Sequence, residues 1–204
     1  MKYKLALMVL AAAVLAAPDG RSQESPSTYY PLKVGSTWTY RAAEDQKVIV
    51  KVAKAEQLKI VKIKGDVKVE EKVPGVTLEV SSGGRTLREQ VAVLPDGVYR
   101  FSAANKEVSP PLCILKFPLQ KDKTWQVDSM IGDMKVKGTF RIGEAEITVL
   151  GKKYKCVTAF LQDEETGTDK IVLEYYFAPN VGIVKQHAHK GNIDSTIELE
   201  KYEP

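Results

Sequence analysis

The chain has 204 residues, with 30 Lys and Arg against 26 Asp and Glu, a net charge of +4. Setting aside the leader described next removes Lys2 and Lys4 and leaves about +2, with Lys and Glu scattered among apolar residues. That is a solvated-face pattern without a basic patch, so a nucleic-acid partner is not expected.

Lys2 and Lys4 precede an unbroken apolar run, Leu5 to Leu15, which ends in Ala16, Ala17, Pro18, Asp19 and Gly20. This order is that of a secretory signal peptide. Its apolar run is too short to span a bilayer, which takes roughly 20 residues, and no later segment is long enough either. Cleavage after Ala16 leaves Val14 and Ala16 at the small-residue positions, whereas cleavage after Ala17 sets Pro18 beside the cut. No Cys follows the run, so a lipid anchor is not expected. The expectation is a periplasmic or secreted protein, released by signal cleavage, not lipidated and without a membrane span after processing. Residues 17–28 are small and polar and read as a disordered lead-in.

From Tyr29 onward the period is two. Val48, Val50 and Val52 alternate with Lys47 and Lys51; Val76, Leu78 and Val80 with Thr77 and Glu79; Met134 and Val136 with Lys135 and Lys137; Ile197 and Leu199 with Glu198 and Glu200. Successive strand side chains point to opposite faces, so these are strands dry on one side and wet on the other. Breakers fall between them at Gly65-Asp66, Pro95-Asp96-Gly97, Gly132-Asp133, Gly151-Lys152 and Gly191-Asn192. Thr86–Ala103 reads as a hairpin around Pro95-Asp96-Gly97; the rival reading, a helix over Leu87–Leu94, loses because the turn follows at once and Val98-Tyr99-Arg100-Phe101 is strongly β-prone. The expected fold is all-β: a strongly curved antiparallel sheet, a half-barrel or open barrel, of ten to twelve strands with little helix. One domain over residues 29–204 is expected, with two coupled halves, 29–111 and 112–204, as the alternative.

An internal echo supports the two halves. Pro31-Leu32-Lys33-Val34-Gly35-Ser36-Thr37-Trp38 matches Pro118-Leu119-Gln120-Lys121-Asp122-Lys123-Thr124-Trp125 at Pro, Leu, Thr and Trp, with an aromatic before each Pro (Tyr30, Phe117). Each reads as a turn launching a strand, with Trp as its first inward anchor; coincidence in a β-patterned chain is the alternative.

The opening Tyr29-Tyr30-Pro31-Leu32-Lys33-Val34-Gly35-Ser36-Thr37-Trp38-Thr39-Tyr40 resembles that of uncharacterised bacterial exported β-rich proteins with a Tyr-Pro-Leu-x-x-Gly-x-x-Trp-x-Tyr start. These carry a second, Leu-Pro-Leu-x-x-Gly-x-x-Trp motif, in which Asp122 here replaces Gly, and a closing segment like Tyr175–Lys185. The resemblance implies a curved antiparallel sheet similar to the half-barrels of periplasmic lipoprotein carriers, and with it a pocket for something apolar.

Chemistry-bearing residues are few. His187 and His189, the only histidines, are one strand period apart and share a face, so they could converge on a metal with Glu174 or Asp194 as third ligand; two ligands without a recognisable third are too few, and no metal or other cofactor is assigned. No Gly-x-Ser-x-Gly or His-Glu-x-x-His occurs. Carboxylates cluster at Glu70-Glu71, Glu144/Glu146 and Asp163-Glu164-Glu165, the last reading as a hairpin tip or, alternatively, a calcium loop. Ser82-Gly83-Gly84-Arg85 reads as a turn. Cys113 and Cys156 are permitted a disulfide by export, or pack as two buried thiols; spacing does not choose. The aromatics at Tyr29, Tyr30, Trp38, Tyr40 and Tyr175-Tyr176-Phe177 read as core, or as a stacking or lining surface. The expected function is therefore an exported, non-enzymatic β-protein binding an apolar small molecule, a lipid or an envelope protein. The alternatives are a hydrolase acting on glycan or peptidoglycan and a structural or assembly module.

Overall fold

The computed structural model describes residues 25–64, 67–162 and 170–204. After a helical turn, α1 (Pro26–Tyr29), come twelve strands: β1 (Thr37–Arg41), β2 (Lys47–Lys64), β3 (Val67–Ser82), β4 (Arg85–Leu94), β5 (Gly97–Ala103), β6 (Lys106–Lys116), β7 (Thr124–Ile131), β8 (Met134–Val149), β9 (Lys152–Gln162), β10 (Ile171–Ala178), β11 (Gly182–Lys190) and β12 (Ile193–Glu203). Each pairs antiparallel with the next, and β12 returns to pair with β1. The curved antiparallel sheet read from the alternation thus closes into a barrel, which leaves no terminal strand with a bare edge. Thr86–Ala103 forms the β4–β5 hairpin, and Ser82-Gly83-Gly84-Arg85 is the turn between β3 and β4. The signal segment 1–16, the Gly65-Asp66 turn and the Asp163-Glu164-Glu165 cluster with its calcium reading lie outside the described residues. Part of the segment read as a lead-in is packed: Thr28 accepts a 2.6 Å hydrogen bond from the Asn180 amide, and the next residue, Tyr29, is buried against Phe117.

The alternating apolar residues face inward and pack into one core. Trp38, Phe140, Tyr175 and Phe177 are fully buried there, with Val52, Leu78, Val136 and Leu161 between them. Two core rings of β1 also bond past β12: the Trp38 indole donates to the Val181 carbonyl in the β10–β11 turn at 2.6 Å and the Tyr40 hydroxyl to that of Ile183 in β11 at 2.9 Å. A buried indole or phenol needs such a partner, because leaving its proton unpaired costs the full desolvation of that group.

The echoed segments form matching turns. Ser36 N donates to Lys33 O, Gly35 N to Val52 O, and Val52 N to Ser36 O; in the second copy Lys123 N donates to Gln120 O, Asp122 N to Ile142 O, and Ile142 N to Lys123 O. Gly35 has φ +97° and Asp122, at the equivalent place, +65°. Each Trp is the second residue of its strand and stacks on a ring, Trp38 on Tyr202 and Trp125 on Phe140.

Two departures from a plain barrel shape the outer wall. First, β2 pairs with β1 only over Lys47–Lys51, and β3 with β4 only over Val76–Ser82, while the β2–β3 ladder continues to Lys64 and Val67. Beyond those points the two strands are an arm. A register shift between Val52 and Lys54 exchanges the faces of β2, since one extra residue flips every side chain after it. Leu58 therefore turns outward, to the face that Val73 takes by the unbroken alternation of β3, and the two bury with Ala92 and Phe101 in a second apolar cluster, flanked by Ile60, Leu94 and Tyr99. Gly75 permits the fold: a Cβ there would stand 2.9 Å from the Val91 carbonyl oxygen and strike the Leu58 side chain. Second, β6 and β7 are joined by only two paired positions, Val108 with Ile131 and Ser109 with Met130. Pro110 and Pro111 follow immediately and have no N–H to give a ladder. The Trp125 indole bridges part of the gap, donating to Cys113 O at 3.0 Å.

Cys113 and Cys156 are both buried free thiols. They lie on β6 and β9, three strand spacings or roughly 14 Å apart around the sheet, where a disulfide spans at most about 7 Å between Cα atoms. Burial pushes both thiols up to about 11, so they are protonated at neutral pH.

Candidate functional site

Where the arm lies over the outer wall it leaves a groove. A hollow of about 660 Å³ lies between Gln57–Val61 of β2 and Glu107–Pro111 of β6, with Phe101 and Gln90 also lining it. A second hollow of about 420 Å³ adjoins it, sharing Gln90, Phe101 and Glu107 and continuing to Lys54, Thr77, Arg88 and Asn105. The first is greasier, with Leu58, Val61, Val108, Pro110 and Pro111 on its surface; the second is polar.

The polar end is preorganised. Thr77, almost fully buried, donates its hydroxyl to Glu56, and the Gln90 amide donates to the same carboxylate oxygen at 3.2 Å. Lys54 reaches the other oxygen at 3.4 Å. The Thr77 hydrogen bond, with those of Gln90 and Lys54, holds the Glu56 carboxyl below the usual carboxylate range against the opposing effect of burial. Arg88 pairs with Glu79 and Lys59 with Glu70 at 3.7 and 3.5 Å. The cations along the groove therefore carry their own counter-charges.

Among the described residues one ionic pair lies in the interior. Glu89 and Arg100 lie 3.5 Å apart with side chains 18% and 13% exposed, and Arg100 also donates to the Tyr175 hydroxyl at 3.4 Å while its guanidinium sits over the Tyr175 ring. The Arg100 Nε proton is buried without a partner. Around this pair lie the buried rings of Tyr30 and Tyr175, on the inner face of the wall whose outer face carries the groove.

The sequence-derived site residues are dispersed. His187 and His189 lie on β11, and both rings turn to Asp194 of β12, His187 Nε2 at 3.1 Å from one oxygen and His189 Nδ1 at 3.5 Å from the other. Glu174, across from His187 in register, instead accepts the Tyr176 hydroxyl proton at 2.9 Å. Among the described residues no group of three or more His, Cys, Asp and Glu is arranged to hold a metal ion. Glu144 and Glu146 line an open hollow with Tyr29, Lys155 and Cys156. Tyr29, Tyr30, Trp38, Tyr40, Tyr175 and Phe177 are all core. None of the site residues read from the sequence lines the groove. One signal for the groove is legible: Pro110-Pro111 interrupts a β-pattern with two residues that cannot donate, marking a place where the ladder fails.

No family model matches the chain, and no curated protein does. Among solved structures it is similar to a candidate lipoprotein from Parabacteroides distasonis, at 12% identity over 86% of this chain and 98% of that one, with a TM-score of 0.48. It is also similar to a candidate exported protein with a YmcC-like fold from Bacteroides fragilis, at 12% identity over 84% of this chain and 97% of that one, with a TM-score of 0.40. At this degree of likeness the two neighbours carry no role over to this chain.

Proposed function

We propose that this chain is an exported, non-enzymatic binding protein whose site is the groove between the β2–β3 arm and the outer wall. The observation that carries the reading is the groove itself: adjoining hollows of about 660 and 420 Å³ with an apolar end, a polar end and a fixed Glu56–Thr77–Gln90 network between arm and wall. The first hollow falls within the size range of small-molecule sites, about 300–1,000 Å³, and its two-sided lining suits an elongated, partly apolar ligand of the envelope. The leader over residues 1–16 favours a periplasmic or secreted, unlipidated protein. A binding role without catalysis is favoured because Lys54, Lys59 and Arg88 are each neutralised by a neighbouring carboxylate, leaving no poised acid–base pair among the groove cations.

Native mass spectrometry of the chain purified from its export compartment tests this, with the double variant Gln57→Trp/Val61→Trp as control. Both positions are exposed and line the groove, so indoles there obstruct it without disturbing the core. A bound mass on the wild type that disappears from the variant is expected. Equal spectra, with or without a bound mass, sink the reading.

A further inference from the structure

We infer that the groove takes an extended polypeptide segment, which adds to the bare edge of β2 as a further strand. This rests on the groove being the binding site and goes beyond it in naming the occupant.

The argument starts from main-chain accounting. Every strand residue but proline carries one donor and one acceptor, and those of a strand interior are met by a neighbour on each side. β2 is met by β3 along its whole described length, but on its other side β1 stops opposite Lys51, and the next residue, Val52, exchanges hydrogen bonds with Gly35 and Ser36 of the turn. From Lys54 onward that second edge has no strand partner among the described residues. The same stretch, Gln57–Val61, forms one side of the larger hollow. The groove is therefore bounded by a row of strand-type donors and acceptors, which an apolar tail cannot satisfy and an extended backbone can.

The opposite side fits the same occupant. Pro110 and Pro111 offer no N–H, so β6 does not compete as a second ladder and gives an apolar floor with Phe101. A strand laid along β2 points alternate side chains at that floor and the rest at solvent, which is how strand addition obtains affinity from the main chain and selectivity from alternate pockets. The two hollows share Gln90, Phe101 and Glu107, so the segment enters over an apolar surface and passes the Glu107 carboxylate. This predicts alternating apolar residues in the segment with a basic one at the polar end.

The test is selection of a randomised nine-residue peptide library on the intact folded chain, with counter-selection on Gln57→Trp/Val61→Trp. Enriched peptides are then remade with alternate amides N-methylated. Enrichment of alternating apolar sequences, slowed hydrogen exchange at the Gln57–Val61 amides on binding, and at least about tenfold weaker binding after N-methylation of one register, the cost of roughly one to two main-chain hydrogen bonds, are expected. Peptides that bind equally well when N-methylated in either register, or that leave exchange at Gln57–Val61 unchanged, overturn strand addition. If no peptide is enriched while monomeric dodecylphosphocholine binds the wild type and not the tryptophan variant, the inference falls and the groove remains a binding site. If neither probe distinguishes wild type from variant, the groove reading falls with it.

Discussion

Arg100 shows how much one residue inside a closed barrel constrains its neighbours. Its guanidinium is held by Glu89 and Tyr175, and both charges are largely out of water. Removing one partner of such a pair strands the other, whereas replacing both with apolar groups of similar volume removes the desolvation cost along with the attraction. Arg100→Met is expected to lower the unfolding free energy by about 3 kcal/mol in urea titration, and Arg100→Met/Glu89→Leu by less than about 1 kcal/mol. A double variant as damaged as the single one would mean that the pair is not coupled. Glu56 gives the acid-side counterpart on the outer wall. Its carboxyl is held below its ordinary value by hydrogen bonds from Thr77, Gln90 and Lys54, so the folded state binds its proton later than the unfolded chain does. The resulting stability is full above the ordinary carboxylate pKa and is lost as pH falls from about 4.3 through the depressed folded value. Glu56→Gln is therefore expected to melt lower than wild type at pH 7 and to converge with it in acid; a constant gap in melting temperature across that range would refute the assignment.

At the scale of elements, the paired turns before β1 and β7 show what the sequence discloses and what it conceals. The shared Pro, Leu, Thr and Trp gave away two launches of a strand, and the hydrogen bonds match one for one. The equivalence of Gly35 and Asp122 is legible as well, since Asp122 stands where the motif has Gly, but the left-handed backbone that both adopt is not, because unlike residues leave no mark of it. Open space surrounds a Cβ at Gly35, so Gly35→Ala is opposed by the backbone alone, at φ +97°. It is expected to destabilise by about 1–3 kcal/mol, read by thermal melting. Asp122 meets the same demand with a residue type that tolerates positive φ and pairs with Arg141. A Gly35→Ala chain that melts like wild type would show that the turn relaxes to another conformation. The arm was concealed for a related reason. The alternation Val48, Val50, Val52 predicts which face of β2 is dry, and one extra residue after Val52 reverses the answer for Leu58, so a reading by period assigns the wrong side to the very residues that form the groove.

For the whole molecule, strand count and antiparallel order followed from local signals: alternation within strands and turn chemistry between them. Closure did not, because it depends on Thr37–Arg41 meeting Glu198–Glu203 at the far end of the chain, and nothing local encodes a partner so distant. Closure is the ground for expecting one cooperative unit over residues 29–204 in place of two halves. Tyr29 packs on Phe117, Tyr30 on Phe177, and Arg100 on Tyr175, so the core of residues 29–111 is completed by side chains of residues 112–204. Neither half can lose its packing without exposing the core of the other, so unfolding in one step is expected. The two tryptophans make this measurable, since Trp38 lies in β1 and Trp125 in β7. Trp125→Phe leaves a fluorescence reporter in the first half and Trp38→Phe one in the second. In each variant, the fluorescence midpoint in urea is expected to coincide with that of far-ultraviolet circular dichroism measured on the same protein. The comparison is internal to each variant, so a loss of stability from the substitution itself does not disturb it. A fluorescence transition separated from the circular dichroism transition would mean that the halves melt independently and that the β6–β7 seam, with its two paired positions, is a true boundary.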